Sequence, residues 1–200
     1  QNQFAQAMRT LVNEMESDLA TLQSTASRAY GTAGTTPFAS DLSDTAQVRK
    51  ILADNGAPLS DMQLVIDTTA GAKMRTLTQL SKANEAADTS LLRQGLLLDV
   101  HGMQIRESAQ ILTAGSNAIT GTVTVTGSNA IGATSIGITT AGGSGVAAIA
   151  GDIITFAGDT NKYVVKTAVT VGASTTGTIV LAAPGLRIAK SATAAISGVA

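Results

Sequence analysis

The sequence predicts an α+β fold, in which a helical first part is followed by an all-β, barrel-like domain. Three observations support this fold class. Apolar residues recur at helical spacing near the start, β-branched residues alternate along the second part, and charged residues are concentrated in the first. Only six of the 27 charged residues lie in 115–200. This change in composition predicts two domains, 1–114 and 115–200.

The first predicted element is one unbroken helix over residues 3–29. Neither Pro nor Gly occurs within it, and its apolar residues are separated by steps of three or four, which places them on one face. A helix of this length would extend about 40 Å, which suits a structural spine whose apolar stripe is pressed against a larger body. The predicted stripe consists of Phe4, Met8, Leu11, Met15, Leu19, Leu22 and Ala26.

The remaining elements of the first part are shorter and are marked by capping and turn residues. Ser43 or Asp44 is expected to cap a second helix, because side-chain oxygens can accept hydrogen bonds from the unpaired N–H groups of the first turn. Asp67, Thr68 and Thr69 offer side-chain oxygens that can cap a third helix in the same way. The predicted elements are a helix at 43–54, a buried strand at 62–66, a helix at about 70–80, a helical turn at 90–94 and a strand at 103–108.

The second part consists of short β-branched runs that are separated by Gly or Asn. Such runs, repeated at intervals of about ten residues, indicate a small barrel or sandwich. Apolar and polar residues alternate along 122–126, so one face of that strand is expected to be buried. The predicted strands lie at 122–126, 135–139, 152–156, 163–166, 169–171 and 178–181.

The charge balance and the absence of cysteine exclude several classes of function. The chain has 13 basic and 14 acidic residues, and the basic ones are scattered, which argues against a dedicated nucleic-acid binder. Without cysteine there can be no disulfide, no Cys-based zinc site and no thiol nucleophile. No apolar run is long enough to predict a membrane span.

Each residue that could carry chemistry has a structural interpretation that fits it better. His101 precedes Gly102 in a predicted turn and lacks a partner at metal-binding or catalytic spacing. The glycine-rich loops at 31–36 and 142–145 lack the lysine and the following helix that a phosphate-binding loop needs. Residues 159–161 offer too few carboxylates for calcium and are typical of a turn. We therefore predict no enzyme activity, and no catalytic, cofactor-binding or metal-binding residue.

Segments along nearly the whole chain carry a family resemblance when they are taken in order. They are QFAQAMRTLVNEMESDLATLQSTASRAYGT (3–32), DLSDTAQVRKILADNGAP (41–58), LVIDTTAGAKMRTL (64–77), LLRQGLLLDVHGMQIRES (91–108), AGDIITFAGDTNKYVVK (150–166) and APGLRIA (183–189). In this order they resemble the major capsid (coat) proteins of tailed double-stranded DNA bacteriophages, which share the Hong Kong 97-type fold. The similarity is closest to the short-tailed-phage branch, whose coat protein carries an inserted β-barrel domain.

This resemblance implies a structural protein that assembles into an icosahedral phage head around double-stranded DNA. It implies a capsid core in 1–114, with a spine helix and axial-domain elements, and an insertion domain in 115–200. The implied partners are further copies in rings of five and six, scaffolding and portal proteins, and packaged DNA through weak non-specific contact, with no membrane. The implied location is the virion, after assembly in the bacterial cytoplasm. The family's N-terminal arm and returning C-terminal strands have no counterpart here, so the chain is expected to be incomplete at its C-terminal end.

Two other classes of protein compete with this interpretation. A virion-surface or secreted adhesion or decoration module is favoured by the Thr- and Gly-rich β part, and the long helical part speaks against it. An enzyme with a degenerate site would require His101 to act without an orienting partner.

Overall fold

The structure is a computed structural model that describes residues 2–31, 35–82, 97, 99–111 and 119–199. The chain divides into two compact units. One combines 1–13 with 35–113 and is called the α/β unit below. The other combines 14–34 with 114–200 and is called the β unit.

The first helix, α1, spans Asn2–Thr21 and is followed by a 3₁₀ turn at Leu22–Thr25. Ala26 is extended, with a ψ of 133°. The prediction of one unbroken helix over 3–29 is therefore wrong at its C-terminal end, and the helix extends about 30 Å. Three hydroxyl side chains at the end of α1 and in the 3₁₀ turn donate to carbonyls three residues earlier, which favours the tighter geometry over further α-helix.

Residues 14–34 belong to the β unit, although the sequence grouped them with the first domain. Two contacts beyond the 3₁₀ turn illustrate the reason. The Arg187 guanidinium donates from Nη2 to the carbonyl of Ser27 at 2.7 Å. The Lys162 ammonium lies 5.1 Å from the centroid of the Tyr30 ring. These contacts join positions too far apart in sequence for a composition change to reveal them.

The described residues of the α/β unit form two parallel strands and three helices besides the first part of α1. Strands β1 and β2 pair in parallel, with Met62 opposite Met103. The helix predicted at 70–80 is two helices, because Leu77 is extended with a ψ of 127° and interrupts it. The helical turn predicted at 90–94 lies outside the described residues. The elements are α2 (Ser43–Asp54), β1 (Met62–Ile66), α3 (Thr68–Thr76), α4 (Thr78–Ser81) and β2 (Met103–Glu107).

One of the two predicted helix caps is present. The Asp67 carboxylate accepts hydrogen bonds from two backbone N–H groups in the first turn of α3, at 3.0 and 3.1 Å. The prediction that Ser43 or Asp44 caps α2 is wrong: the cap position is Leu42, which makes no side-chain hydrogen bond there. Asp44 instead accepts from the Phe38 backbone N–H, 2.8 Å away, and so fixes the preceding loop.

The core of the α/β unit lies between its short sheet and its helices. Met74 is completely buried, and alternate residues of β2 point inward while Gln104 and Arg106 are exposed, as the alternation predicted. The buried residues of this core are Phe38, Ile66, Ala70, Met74, Leu77, Leu80, Val100 and Ile105.

Nine short strands in two sheets are present in the part of the β unit that the structure describes. The six-stranded sheet has the order β10-β5-β4-β11-β7-β8, and the three-stranded sheet has the order β3-β6-β9. A bridge between Val165 and Leu181 joins the two ends of the larger sheet, which therefore curls into a barrel-like form. The strands are β3 (Ile119–Thr120), β4 (Val123–Val125), β5 (Ser135–Thr140), β6 (Gly145–Ala148), β7 (Ile153–Phe156), β8 (Lys162–Val164), β9 (Val169–Val171), β10 (Thr176–Val180) and β11 (Ala195–Val199).

Apolar residues from both sheets form the core of this unit. Strand β5 shows the pattern clearly, since Ile136 and Ile138 are completely buried while Gly137 between them is only partly covered. Phe156 and Tyr163 contact each other edge to face, with ring centroids 5.3 Å apart. The β unit thus has a hydrophobic core of its own, which is what a separately folding domain requires.

Candidate functional site

The apolar stripe of α1 is present, but it faces solvent. Phe4 is 78% exposed, Leu19 is 66% exposed and Met8 is 51% exposed. The expectation that the stripe is pressed against the rest of the subunit is therefore not met within this chain. The described part of the chain places no element over this face. Exposed large side chains on it are Phe4, Met8, Leu11, Val12, Met15, Leu19 and Leu22.

Two residues change the composition of the predicted stripe. Ala26 lies beyond the 3₁₀ turn in extended backbone, so it does not continue the helical face. Val12, which the stepwise spacing passed over, is 44% exposed next to Leu11 and widens the stripe. At 100° per residue, Val12 falls beside Met8 and Leu19 on the helix surface, and this signal was readable from the sequence.

This exposure is energetically unfavourable for a chain that remains alone. Helices in proteins gain most of their stability by packing an apolar face against other elements. Each large apolar side chain left in water forgoes roughly 1.5–3 kcal/mol of burial. Large exposed apolar patches mark surfaces that bind protein, membrane or ligand, or that aggregate. The stripe is therefore the strongest candidate for a functional surface.

His101 has a structural role at a tight turn in the α/β unit. Val100 and Met103 exchange backbone hydrogen bonds across His101-Gly102, both of which have positive φ, as in a type I′ turn. The His101 ring nitrogen Nδ1 lies 2.6 Å from the Thr45 hydroxyl. The same hydroxyl lies 2.7 Å from the Leu42 carbonyl oxygen, so it joins the turn to the start of α2.

A shallow groove of about 460 Å³ lies between α2 and this turn. The Arg49 guanidinium crosses it and donates from Nη1 to the His101 carbonyl at 2.5 Å. None of the described residues that line it carries a hydroxyl or a carboxylate, and the Thr45 hydroxyl beside the histidine is completely buried. Its lining residues are Ala46, Arg49, Lys50, Ala53, His101 and Gly102.

The turn residue Asp159 is fully engaged by protein groups in the β unit. One carboxylate oxygen accepts from the backbone N–H of Asn161 at 2.8 Å and from its side-chain amide at 2.7 Å. The other accepts from the Tyr163 hydroxyl at 2.7 Å and lies 3.4 Å from the Lys190 ammonium. The turn interpretation of 159–161 therefore agrees with the geometry, because the carboxylate that calcium would need already has four partners.

Burial and hydrogen bonding act in opposite directions on the ionisation of this cluster. Burial alone would raise the pKa of Asp159, but the hydrogen bonds from Asn161 and Tyr163 and the Lys190 charge lower that pKa overall. Burial and the hydrogen bond to Asp159 raise the pKa of the Tyr163 hydroxyl. No sequence pattern predicted this network, because its members come from two separate loops and a strand.

The findings on metal sites and membrane spans apply to the residues that the structure describes. Among them, no group of three or more His, Asp or Glu side chains is arranged to hold a metal ion. None of the helices in this part of the chain combines the length and the apolar character of a membrane span. Of the glycine-rich loop at 31–36, residues 32–34 lie outside the described ranges. The loop at 142–145 is a turn, in which the Ser144 hydroxyl accepts from the Thr122 backbone N–H at 2.8 Å.

Comparison with known proteins gave a single kind of similarity. No family model matches the sequence, and no curated protein matches it. Among solved structures, the chain is similar to a chain from Mycobacterium phage Che8, with 14% sequence identity and a TM-score of 0.49. The similarity covers 98% of this chain and 57% of the phage chain, so this chain spans little more than half the length of that relative.

Proposed function

We propose that this chain belongs to the major capsid protein of a tailed double-stranded DNA bacteriophage, with a Hong Kong 97-type fold, and that its function is to build the icosahedral head. The unbroken, buried spine helix that this interpretation expected within one chain is not present, so the proposal rests on the exposed apolar stripe of α1 as a face that assembly would cover. A rod with one uncovered apolar face suits a protein that completes its packing by assembly. The resemblance of segments along the chain to the coat-protein family supports the same conclusion.

The stripe has the properties that a repeated structural contact requires. Its large side chains extend over nearly the whole of α1, so one covering surface can bury them together. In a closed shell, rings of five and six copies use head-to-tail contacts, which close when the rotation is correct. Each contact can be modest, because every subunit makes many of them at once.

The β unit corresponds, in this proposal, to the inserted β-barrel domain of the short-tailed-phage branch. Its curled six-stranded sheet and separate core are what an appended domain needs in order to fold by itself. The α/β unit would then supply parts of the capsid core.

The proposed partners follow from the charge and the assembly role. Further copies of the chain are the principal partners, with scaffolding and portal proteins at particular steps or positions. A net charge of −1 supports only weak, sequence-independent contact with packaged DNA. We propose no catalytic function, no cofactor and no membrane partner, and a location in the virion after assembly in the host cytoplasm.

The test is to express the protein from its complete gene in bacteria and to image the sedimented material by negative-stain microscopy. Closed shells or rings of five and six are expected. The sedimentation profile of the same lysate, read with an antibody against the chain, shows whether the protein is in those particles.

The competing adhesion or decoration module predicts a different image. Fibres, or small particles that bind to separately made heads without forming heads, would contradict the capsid proposal and support the alternative. Monodisperse monomers under all conditions of salt and concentration would contradict both assembly roles.

A further inference from the structure

Arg187 joins three separate parts of the β unit through its guanidinium and backbone. It donates from Nη1 to the Asn161 side chain at 2.8 Å and from Nη2 to the Ser27 carbonyl at 2.7 Å. Its backbone N–H donates to the Tyr163 hydroxyl at 3.2 Å. The guanidinium carbon also lies 5.5 Å from the centroid of the Tyr163 ring. The residue therefore connects the chain after α1 to the start of β8 and to the loop before β11.

Burying the Arg187 guanidinium is energetically unfavourable, and an apolar side chain at this position would avoid that penalty. The Nε atom of Arg187 is buried and has no hydrogen-bond partner. Burial, followed by the nearby charge of Arg28, lowers the pKa of Arg187. Partly buried charged groups often contribute little net stability, and an apolar side chain of similar size can replace them without loss. Their better-supported use is to select one conformation among several.

We propose that Arg187 is a positioning residue that holds residues 22–31 in one conformation on the β unit. The planar fork of the guanidinium suits this role, since it binds two acceptors at fixed angles. One acceptor, Asn161, is itself held by Asp159, so the fork is oriented by a buried network. The other acceptor is a main-chain carbonyl, so the bond fixes the backbone of the segment directly. The ring of Tyr30 against Lys162 lies within the same segment and adds a second contact.

The test is limited proteolysis of the full chain with trypsin, which cleaves after Arg28 within the held segment. Arg187→Met removes both forked hydrogen bonds while keeping an apolar side chain of similar length. Cleavage after Arg28 is expected to accelerate roughly tenfold or more, the effect of losing hydrogen bonds from a charged donor. Amide exchange at Ile154, in the core strand β7, is expected to stay at the wild-type rate.

Two outcomes would overturn the proposal. Unchanged cleavage after Arg28 would show that other contacts hold the segment. Faster cleavage accompanied by equally faster exchange at Ile154, or failure of Arg187→Met to fold, would show that the residue stabilises the whole β unit instead of positioning one segment.

Matched variants distinguish the effect of the forked hydrogen bonds on cleavage from the effects of the positive charge and of the Ser27 side chain. Arg187→Lys keeps the positive charge and loses the fork, so it is expected to accelerate cleavage as Arg187→Met does. Wild-type cleavage in Arg187→Lys would contradict the role of the fork. Ser27→Ala keeps the carbonyl and is expected to cleave at the wild-type rate, as is Arg106→Met, which changes an exposed arginine in the α/β unit.

Discussion

The Lys190 ammonium lies 3.4 Å from the Asp159 carboxylate, and both side chains are almost completely removed from solvent, at 5% and 0% exposure. Lys190 also donates to the Ala157 carbonyl at 3.3 Å, and Asp159 accepts three further hydrogen bonds. The pair therefore joins the turn between β7 and β8 to the loop before β11. Removing either partner would leave the other charge buried without an opposite charge beside it.

Replacing Asp159 by asparagine is expected to destabilise the β unit near neutral pH by roughly 3 kcal/mol, because Lys190 would remain buried and unpaired. The folded-state pKa of Asp159 is below its ordinary value of 3.8. Its contribution to stability is thus present above that value and is lost as the pH falls below 3.8 through the folded-state pKa. Denaturant unfolding of wild type and Asp159→Asn from about pH 7 to about pH 2 measures this.

The difference between the wild-type and variant free energies of unfolding should narrow as the pH falls below 3.8. A difference that stays constant down to the lowest pH would contradict the assigned ion pair. The double variant Asp159→Asn with Lys190→Met serves as the control, since removing the unpaired ammonium is expected to recover much of the lost stability.

Met74 and Met8 provide a matched pair for separating core from surface. Met74 is 0% exposed and Met8 is 51% exposed. Met74→Ala is expected to lower the free energy of unfolding by about 2–5 kcal/mol through lost burial and a cavity. Met8→Ala is expected to change it by no more than about 0.5 kcal/mol in the dissociated chain. Thermal or denaturant unfolding of both variants at low protein concentration measures the two changes in the free energy of unfolding. Equal decreases for Met74→Ala and Met8→Ala would contradict the exposed position of the stripe.

Leu11→Asp is expected to leave the dissociated chain folded and to prevent the formation of particles. Leu11 is half-exposed in the chain, so the substitution costs roughly 0.5 kcal/mol of helix propensity there. In an assembled contact the same carboxylate would be buried without a partner, which costs several kcal/mol. Circular dichroism measures whether the dissociated chain stays folded, and sedimentation measures whether particles form. Asn13→Asp, on the opposite face of α1, is the control, and normal particles from Leu11→Asp would exclude the stripe as an assembly contact.

Gly185 and Gly158 test how closely the loop after β10 packs on its neighbour. Both have positive φ, 78° and 71°, but a side chain at Gly185 would lie 2.4 Å from the Ala133 carbonyl oxygen, while nothing lies within 4 Å at Gly158. Gly158→Ala is therefore expected to cost about 1 kcal/mol of backbone strain. Gly185→Ala is expected to cost clearly more, because backbone atoms must move. Equal unfolding midpoints for the two variants would contradict the close approach.

The local elements were largely predictable because their signals are local. Residues 43–54 and 62–66 form the predicted helix and strand, and Asp67 caps the helix that follows, since its side chain bonds to the next few N–H groups. The prediction extended the first helix beyond its true end at Thr21 because the residues that follow contain no Gly or Pro stop signal. Its departure from helix is associated with hydroxyl groups and with contacts to residues far along the chain.

The sequence by itself determined where apolar residues repeat, and hence that the chain joins a striped helix to a barrel-like β domain. Periodicity describes one element and carries no information on what covers it, so the exposure of the stripe was decided only by the tertiary structure. The same holds for Asp159 with Lys190 and for Arg187 with Ser27. These pairs form because the curled sheet brings distant loops together. Burial then strengthens their hydrogen bonds and charge interactions, because the local dielectric constant is low.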